Sequence, residues 1–205
     1  SLARQGIGTV ANIAMNFACA PFGDAVIAGM SVYNRVMFLG MALVIGYGQG
    51  YQPVCSFNFG AKNYKRVFDG YKFLAVVTTI IITVFSIIGF IFAPQLIAVF
   101  RDDAEVITIG AKALRYQSFA MLVTGFCTAS NMLMQSLRIS GKATVMALAR
   151  QGIFYIPAIL ILPRMFDITG IALAQPVADI LSFVLTIFLV VTTLKKLNTK
   201  SKGKE

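Results

Sequence analysis

The chain has 205 residues, of which 58% are hydrophobic and only 13% charged, and its formal net charge is +10. Soluble domains carry about 25% charged residues, and disordered chains are poor in apolar residues, so the composition excludes both classes. What remains is an all-α integral membrane protein. In such a protein an excess of basic residues indicates cytoplasmic loops facing anionic lipid rather than nucleic acid. Because histidine is absent, His-based catalytic triads and zinc sites are excluded, and we expect neither an enzyme nor a metal or cofactor.

Six segments are long and apolar enough to be membrane-spanning helices, which need about 20 residues each. The predicted helices cover residues 2–19, 25–58, 66–100, 105–137, 143–163 and 168–194. Strands are excluded because membrane β-barrel strands alternate polar and apolar residues over roughly 10 positions, whereas these segments are longer and apolar on all faces. Residues 195–205 are polar and lysine-rich, and we expect them to form a disordered cytoplasmic tail.

The loop charges predict an orientation. If the six segments cross alternately, twelve basic residues collect on one side and two on the other. Cytoplasmic loops are the ones that carry excess lysine and arginine. We therefore expect both ends of the chain on the cytoplasmic side of a prokaryotic inner membrane. The chain starts without methionine and directly with a helix, which suggests a piece of a longer protein.

The three cysteines are Cys19, Cys55 and Cys127. They are widely spaced and odd in number, and each lies in an apolar stretch. A disulfide framework or a zinc site needs closer spacing or even pairing. We therefore interpret them as buried, reduced packing residues.

A hexapeptide occurs twice. The sequence Leu-Ala-Arg-Gln-Gly-Ile fills residues 2–7 and recurs unchanged at 148–153. Transporters are often built from internal repeats, and the two copies would lie on helices that cross in the same direction. Coincidence within a composition rich in these residues is the alternative.

Ionisable residues inside a membrane are costly and therefore tend to line water or find partners. Arg35, Arg150 and Asp179 lie well inside predicted spans, and Arg4 lies at the start of the first. Asp179 is the single acid among them, so we expect it to pair with Arg150 or Arg35. The surplus basic residue would face an aqueous cavity, unless the pair serves only to lock helices together.

Uncharged polar residues accompany these charges at helical spacing. Gln151 and Tyr155 are four residues apart, as are Gln175 and Asp179, and so are Asn131 and Gln135. Residues four apart share a helix face. We predict that these side chains line a substrate pathway, with hydrogen bonding between helices as the alternative.

Residues 46–53 are the most unusual local stretch. Gly46, Gly48 and Gly50, with Gln49 and Pro53, interrupt a long apolar run. Broken helices at membrane depth are tolerated where they line a cavity or are buried in protein. This pattern predicts a helix break that could coordinate ions or substrate, and close helix packing is the alternative.

Several of these stretches, taken in order, resemble one family. The run 46–54 followed by 58–61 is similar to the second helix of the C-terminal half of multidrug and toxic compound extrusion (MATE) transporters. Further matches in the same order are residues 21–24, Gln135 with 141–142, 149–152, and 175–179. The resemblance covers essentially the whole chain and places it as helices seven to twelve of a twelve-helix protein, the C-terminal six-helix lobe.

The resemblance implies export of organic, often cationic, compounds by H⁺ or Na⁺ antiport with alternating access. The implied partners are an N-terminal lobe of the same protein, the lipid bilayer and a small organic substrate. Some family members carry acids inside helices seven and ten, but the corresponding segments 2–19 and 106–137 contain no interior acid. Coupling would then use the other lobe or Asp179. A flippase for lipid or glycan carriers and a non-transporting membrane scaffold are the alternative functions.

Overall fold

A computed structural model describes the backbone of residues 2–202 and the side chains of residues 6–139 and 141–195. All regular elements in this part of the chain are helical. They are α1 (Leu2–Cys19), α2 (Asp24–Gly60), α3 (Tyr64–Ile91), α4 (Ala93–Ala98), α5 (Ala104–Ser136), α6 (Ser140–Leu148) and α7 (Tyr155–Lys202). A 3-10 turn, Ala20–Phe22, joins α1 to α2, and a π-helical turn, Ala149–Ile153, joins α6 to α7.

Helix α7 is a hairpin of two helices. Phe166 and Asp167 have non-helical dihedral angles, with φ of 49° at Asp167. The chain reverses there, since Leu162 and Gly170 come into contact across the turn. The expected class, an all-α membrane protein with six spanning helices, is therefore confirmed. The six are α1, α2, α3, α5, the α6 segment with the first half of α7, and the second half of α7.

By length and composition alone, three helical stretches of the described chain are apolar enough to cross a membrane. These are Asp24–Gly60, Tyr64–Ile91 and Gly141–Lys195, and the third contains the reversal in α7. Helix α5 is less apolar because small and polar residues such as Gly125, Ser118 and Ser130 occupy its buried positions. Small residues let helix backbones approach closely within a membrane.

Helix α5 forms the centre of the bundle. It packs against α2, α3 and α7, and the approach to α3 is close: a Cβ on Gly125 would lie 3.0 Å from the Thr78 carbonyl oxygen and the Thr79 Cα. The Thr78 hydroxyl donates to the Gly125 carbonyl oxygen at 3.3 Å, and the Ser86 hydroxyl donates to the Ser118 carbonyl oxygen. Glycine packing and hydroxyl hydrogen bonds together hold α5 in place.

The outer faces of the helices are apolar. On α3 the buried residues, including Leu74, Thr78 and Ile82, recur every three or four positions. Large exposed side chains, including Phe73 and Ile80, occupy the opposite face. A soluble helix would present charged residues there. This face therefore fits contact with lipid.

The loop charges separate between the two ends of the bundle. At one end the Lys112 amine donates to the Thr169 hydroxyl at 2.7 Å, close to the acidic turn before α5. At the other end the Lys142 amine donates to the Thr193 hydroxyl at 2.8 Å, and the Ser56 hydroxyl donates to the Ser136 carbonyl oxygen. The α2–α3 loop with Lys62, the start of α3 with Lys65 and Arg66, and the end of α7 lie at this second end.

Two predicted helix ends differ from the structure. Residues 66–100 form two helices rather than one, because Pro94 lacks the N–H that would continue α3 and instead starts α4. The expected disordered tail from residue 195 is helical to Lys202. Its lysines are good helix formers, so they mark the end of the apolar crossing and not the end of the helix. Residues 203–205 lie outside the described chain.

The predicted helix break at residues 46–53 is wrong. Helix α2 continues from Asp24 to Gly60 through Gly46, Gly48, Gln49, Gly50 and Pro53. Gly48 instead permits close packing, since a Cβ there would collide with the Met132 side chain of α5. Glycine weakens a helix by only about 0.5–1 kcal/mol relative to alanine, which a long, packed helix tolerates.

The two hexapeptide copies lie beside each other but differ in backbone form. Residues 2–7 are α-helical, whereas 149–153 form the π turn. Ile7 lies 3.5 Å from the position of a Cβ on Gly152. The side chains of residues 2–5, including Arg4, lie outside the described part of the structure.

Candidate functional site

An ion pair joins the two helical arms of the α6–α7 hairpin. One arm is α6 with the first half of α7, and the other is the second half of α7. The Arg150 Nε donates to Asp179 Oδ1 at 2.7 Å, and Nη2 donates to Oδ2 at 3.4 Å. The side chain of Arg150 is 24% exposed and that of Asp179 is 1% exposed. Of the two partners expected for Asp179, the structure selects Arg150. The acid lies twelve residues beyond the turn at Asp167, about 18 Å along the helix and so near mid-depth.

Three neutral side chains complete the surroundings of Asp179. Gln117 of α5 donates to Oδ2 at 2.6 Å, Gln175 donates to Oδ1 at 3.0 Å, and the Thr124 hydroxyl lies 3.5 Å from Oδ2. A charge taken out of water is tolerated only when it is paired and hydrogen-bonded. Here both carboxylate oxygens are fully engaged by α5, α7 and the π turn.

The π turn determines which way Arg150 and its neighbours point. Arg150 lies in Ala149–Ile153, where each turn contains an additional residue. The sequence predicted that Gln151 and Tyr155, four residues apart, share one helix face. Because of the additional residue in the π turn, they lie on different faces. Gln151 is exposed, whereas Tyr155 is buried in the core. Single π turns inside helices are frequent at functional sites.

Arg150 forms part of the wall of an open cavity of about 560 Å³ between α1, α2, α5 and the α6–α7 hairpin. Amide side chains line much of it, together with four methionines, Met37, Met41, Met132 and Met146. Methionine side chains adapt to differently shaped apolar partners. Among the described residues of this wall, Arg150 is the one side chain with a formal charge.

The structure brings together most of the predicted site residues. Six of them line this cavity: Gln49, Asn131, Gln135, Arg150, Gln151 and Gln175. Asp179 lies directly behind Arg150. Arg35 is not among the lining residues, because it is exposed and borders an adjoining depression that shares Asn34 and Phe38 with the cavity. Asn131 also has a structural contact, donating to the Ala143 carbonyl oxygen at 2.8 Å and accepting from Gln135 at 2.6 Å.

Sequence reasoning missed several residues of the site. Gln117 is fully buried, and a lone glutamine inside an apolar span was the signal that could have identified it. Asn12, Asn34 and Gln52 also line the cavity. Ser182, four-percent exposed, has a hydroxyl oxygen without a protein partner in the described chain. Hydroxyl and amide groups of this kind are common in apolar helices, so the sequence does not separate them from packing residues.

Cys127 provides a test of the cavity. It lines the cavity and is 9% exposed, whereas Cys19 and Cys55 are more deeply buried elsewhere. We expect a small, water-soluble methanethiosulfonate to modify Cys127 at least several-fold faster than the other two in the folded protein, because water reaches this thiol. Peptide mass spectrometry at successive times measures the three rates, and Cys127→Ser is the control. Equal or faster modification of Cys55 would contradict the described cavity.

The fold and the site together define an integral membrane protein of six spanning helices with a cavity lined by amide and methionine side chains. The MatE family model matches residues 4–161, and the chain belongs to this family, the MATE multidrug efflux transporters. The membership in the MATE family that the sequence indicated is thereby confirmed.

Individual relatives agree with this assignment. The chain is 23% identical over 188 residues to the multidrug export protein MepA of Staphylococcus haemolyticus, covering 92% of this chain and 41% of the relative. A MATE crystal structure in a bent conformation matches with a TM-score of 0.90, 15% identity and coverage of 98% of this chain and 45% of that one. The Vibrio cholerae MATE transporter VcmN in the bent form matches with a TM-score of 0.87, 18% identity, and 96% and 45% coverage. The chain thus spans less than half the length of these relatives.

Proposed function

We propose that this chain is the C-terminal six-helix lobe of a secondary active exporter of organic compounds, which works by H⁺ or Na⁺ antiport with alternating access. The observation that carries the proposal is the open cavity of about 560 Å³, which is lined by amides, methionines and Arg150. A second, N-terminal lobe of the same protein would close this cavity. The family membership and the less than half-length coverage of relatives support this arrangement.

The lining suits ligands of varied shape. Four methionines offer an adaptable apolar surface, and amides such as Gln49, Gln52 and Gln151 can both donate and accept hydrogen bonds. Interior polar residues are costly in a membrane and tend to mark substrate pathways. A non-transporting scaffold would have little use for them.

The charge distribution supports a cytoplasmic location for both ends of the chain. The end of the bundle that holds Lys62, Arg138 and Lys142 carries the excess of basic residues, and acids cluster at the opposite end. The positive end would face the cytoplasm of a prokaryotic inner membrane.

Asp179 is a candidate for the coupling step. Among the described residues it is the one acidic residue whose side chain is buried. It lies beside the cavity, because it contacts Arg150 in the cavity wall. The N-terminal lobe is the other place where coupling could occur.

Resistance of bacteria tests the proposed transport. We expect the full-length transporter that contains this chain, expressed in a drug-sensitive strain, to raise the tolerated concentration of several dyes or drugs by at least a few-fold. Growth is measured across a compound panel with and without Na⁺, so that dependence on Na⁺ identifies the coupling ion. No change across the panel would contradict drug export.

A matched pair of variants links that result to the cavity. Met41→Trp fills the cavity, since Met41 lies in its wall, whereas Leu43→Trp adds the same bulk to an exposed apolar position outside it. The first change should abolish resistance and the second should preserve it. Equal effects of the two substitutions on resistance would contradict a role of this cavity in transport.

A further inference from the structure

The Arg150–Asp179 pair is asymmetric toward the cavity. A guanidinium has five N–H groups, and two of them bind Asp179. In the described chain the other three have no protein partner, and Arg150 is 24% exposed in the cavity wall. The cavity therefore meets a cation with free donors, although the pair as a whole is neutral.

The negative member of the pair is sealed from the same cavity. The Asp179 side chain is 1% exposed, and its oxygens already accept from Arg150, Gln117 and Gln175. No lone pair is left in good position for an ammonium group of a ligand. A cationic ligand would find Arg150 in front of it and the compensating carboxylate behind.

The remaining wall is neutral and supports an apolar body. Met37, Met41 and Met132 provide apolar contacts, and Gln151 provides an amide without a charge. A planar carboxylate matches the fork geometry of a guanidinium edge and forms charge-assisted hydrogen bonds with it. Ligand carboxylate, guanidinium and Asp179 would then form a line of alternating charge.

We infer that this lobe recognises amphipathic compounds through a carboxylate bound at the free edge of Arg150, with the apolar part against the methionines. The inference rests on the proposed function in that the same cavity would be the substrate cavity. It differs in naming an acidic group, not a cationic one, as the feature that the lobe selects.

Three fluorescent probes isolate the terminal group. Dansylglycine, dansylglycinamide and N-(2-aminoethyl)dansylamide share one fluorophore and end in a carboxylate, a neutral amide and an ammonium. Fluorescence titration of the purified full-length transporter gives each Kd. We expect dansylglycine to bind about 10-fold more tightly than the amide, as for one charge-assisted bidentate contact, and the ammonium probe to bind most weakly. Equal affinities, or tighter binding of the ammonium probe, would overturn the inference without any variant.

Variants assign the preference to Arg150. Arg150→Gln together with Asp179→Asn removes both charges and keeps amides in place, so the carboxylate preference should fall to about 2-fold or less. Asp179→Asn alone should increase it, because the guanidinium loses its internal counter-ion. Arg35→Gln replaces an exposed arginine that does not line the cavity in the same way. This variant should leave the carboxylate preference unchanged. An unchanged preference in the double variant would refute the role of Arg150.

Binding and export are measured separately so that the two proposals can fail independently. A carboxylate preference in binding without drug resistance in cells would support the inferred site and contradict the exporter. Resistance with no preference among the three probes would support the exporter and contradict the inferred site.

Discussion

Replacing Arg150 by glutamine is expected to lower the free energy of unfolding by about 3–5 kcal/mol, the range for breaking a buried ion pair from one side. Asp179 would remain 1% exposed without its cationic partner. Gln117 and Gln175 would still donate to it, but neutral donors compensate a buried charge less well than a guanidinium does.

Replacing Asp179 by asparagine should lower the free energy of unfolding by less than replacing Arg150 does. Arg150 is 24% exposed to the cavity, so after Asp179→Asn its charge can be hydrated. The Gln117 Oε1 is buried without a protein partner in the described chain. A rotation of that amide would let it accept from the new asparagine. We expect a loss of about 1–2 kcal/mol, comparable to one hydrogen bond to a charged group.

The double variant shows whether Arg150→Gln loses stability because it leaves a buried charge unpaired or because it removes packing contacts. Arg150→Gln with Asp179→Asn leaves no unpaired charge, so it should be more stable than Arg150→Gln alone. Thermal unfolding of the purified full-length transporter, followed by circular dichroism, ranks the variants by Tm. Arg35→Gln is the matched control and should stay within about 0.5 kcal/mol of the native protein. A double variant less stable than Arg150→Gln would contradict this account.

Much of the fold could be predicted because membrane spans need only length and apolarity. The six crossings and the turns before α2 and α5 follow from runs of apolar residues and their polar interruptions. Asp103 illustrates the local rules: its carboxylate accepts from the Glu105 and Val106 amides and so starts α5. The reversal at Asp167 was likewise indicated by the short polar interval between two apolar runs.

The candidate site was predictable only in part, because its geometry depends on contacts between helices. The charges of Arg150 and Asp179 stood out from an apolar background, but the sequence left Arg150 and Arg35 as alternative partners of Asp179, and only the structure distinguishes them. Two wrong expectations have separate causes. A four-residue period assumes regular helix, and the π turn shifts Tyr155 into the core. Which face of α2 turns inward is set by packing on α5, and this packing leaves Arg35 exposed.

Gly170 is the second position where a small change should have a large effect. It lies just past the reversal in α7, and a Cβ there would collide with the carbonyl group of Leu162 and lie 2.7 Å from the Pro163 nitrogen. These are backbone atoms, and the proline ring restricts their movement further. The hairpin would have to open to accommodate one methyl group.

We expect Gly170→Ala to destabilise the protein by about 3 kcal/mol, the upper part of the range for overpacking. The effect should extend to the site, because the two halves of the hairpin carry Arg150 and Asp179. Opening the turn would separate the guanidinium from the carboxylate. The probe preference measured for the native protein should therefore weaken together with Tm.

Glycines of α2 provide matched controls for this change. A Cβ on Gly46 or Gly50 would have nothing within 4 Å, and alanine favours a helix by about 0.5–1 kcal/mol over glycine. Gly46→Ala and Gly50→Ala should thus be neutral or slightly stabilising, which also tests the continuity of α2. Tm values from circular dichroism compare the three variants. If Gly170→Ala and Gly50→Ala have the same Tm, the close contact across the hairpin does not hold the ion pair in position.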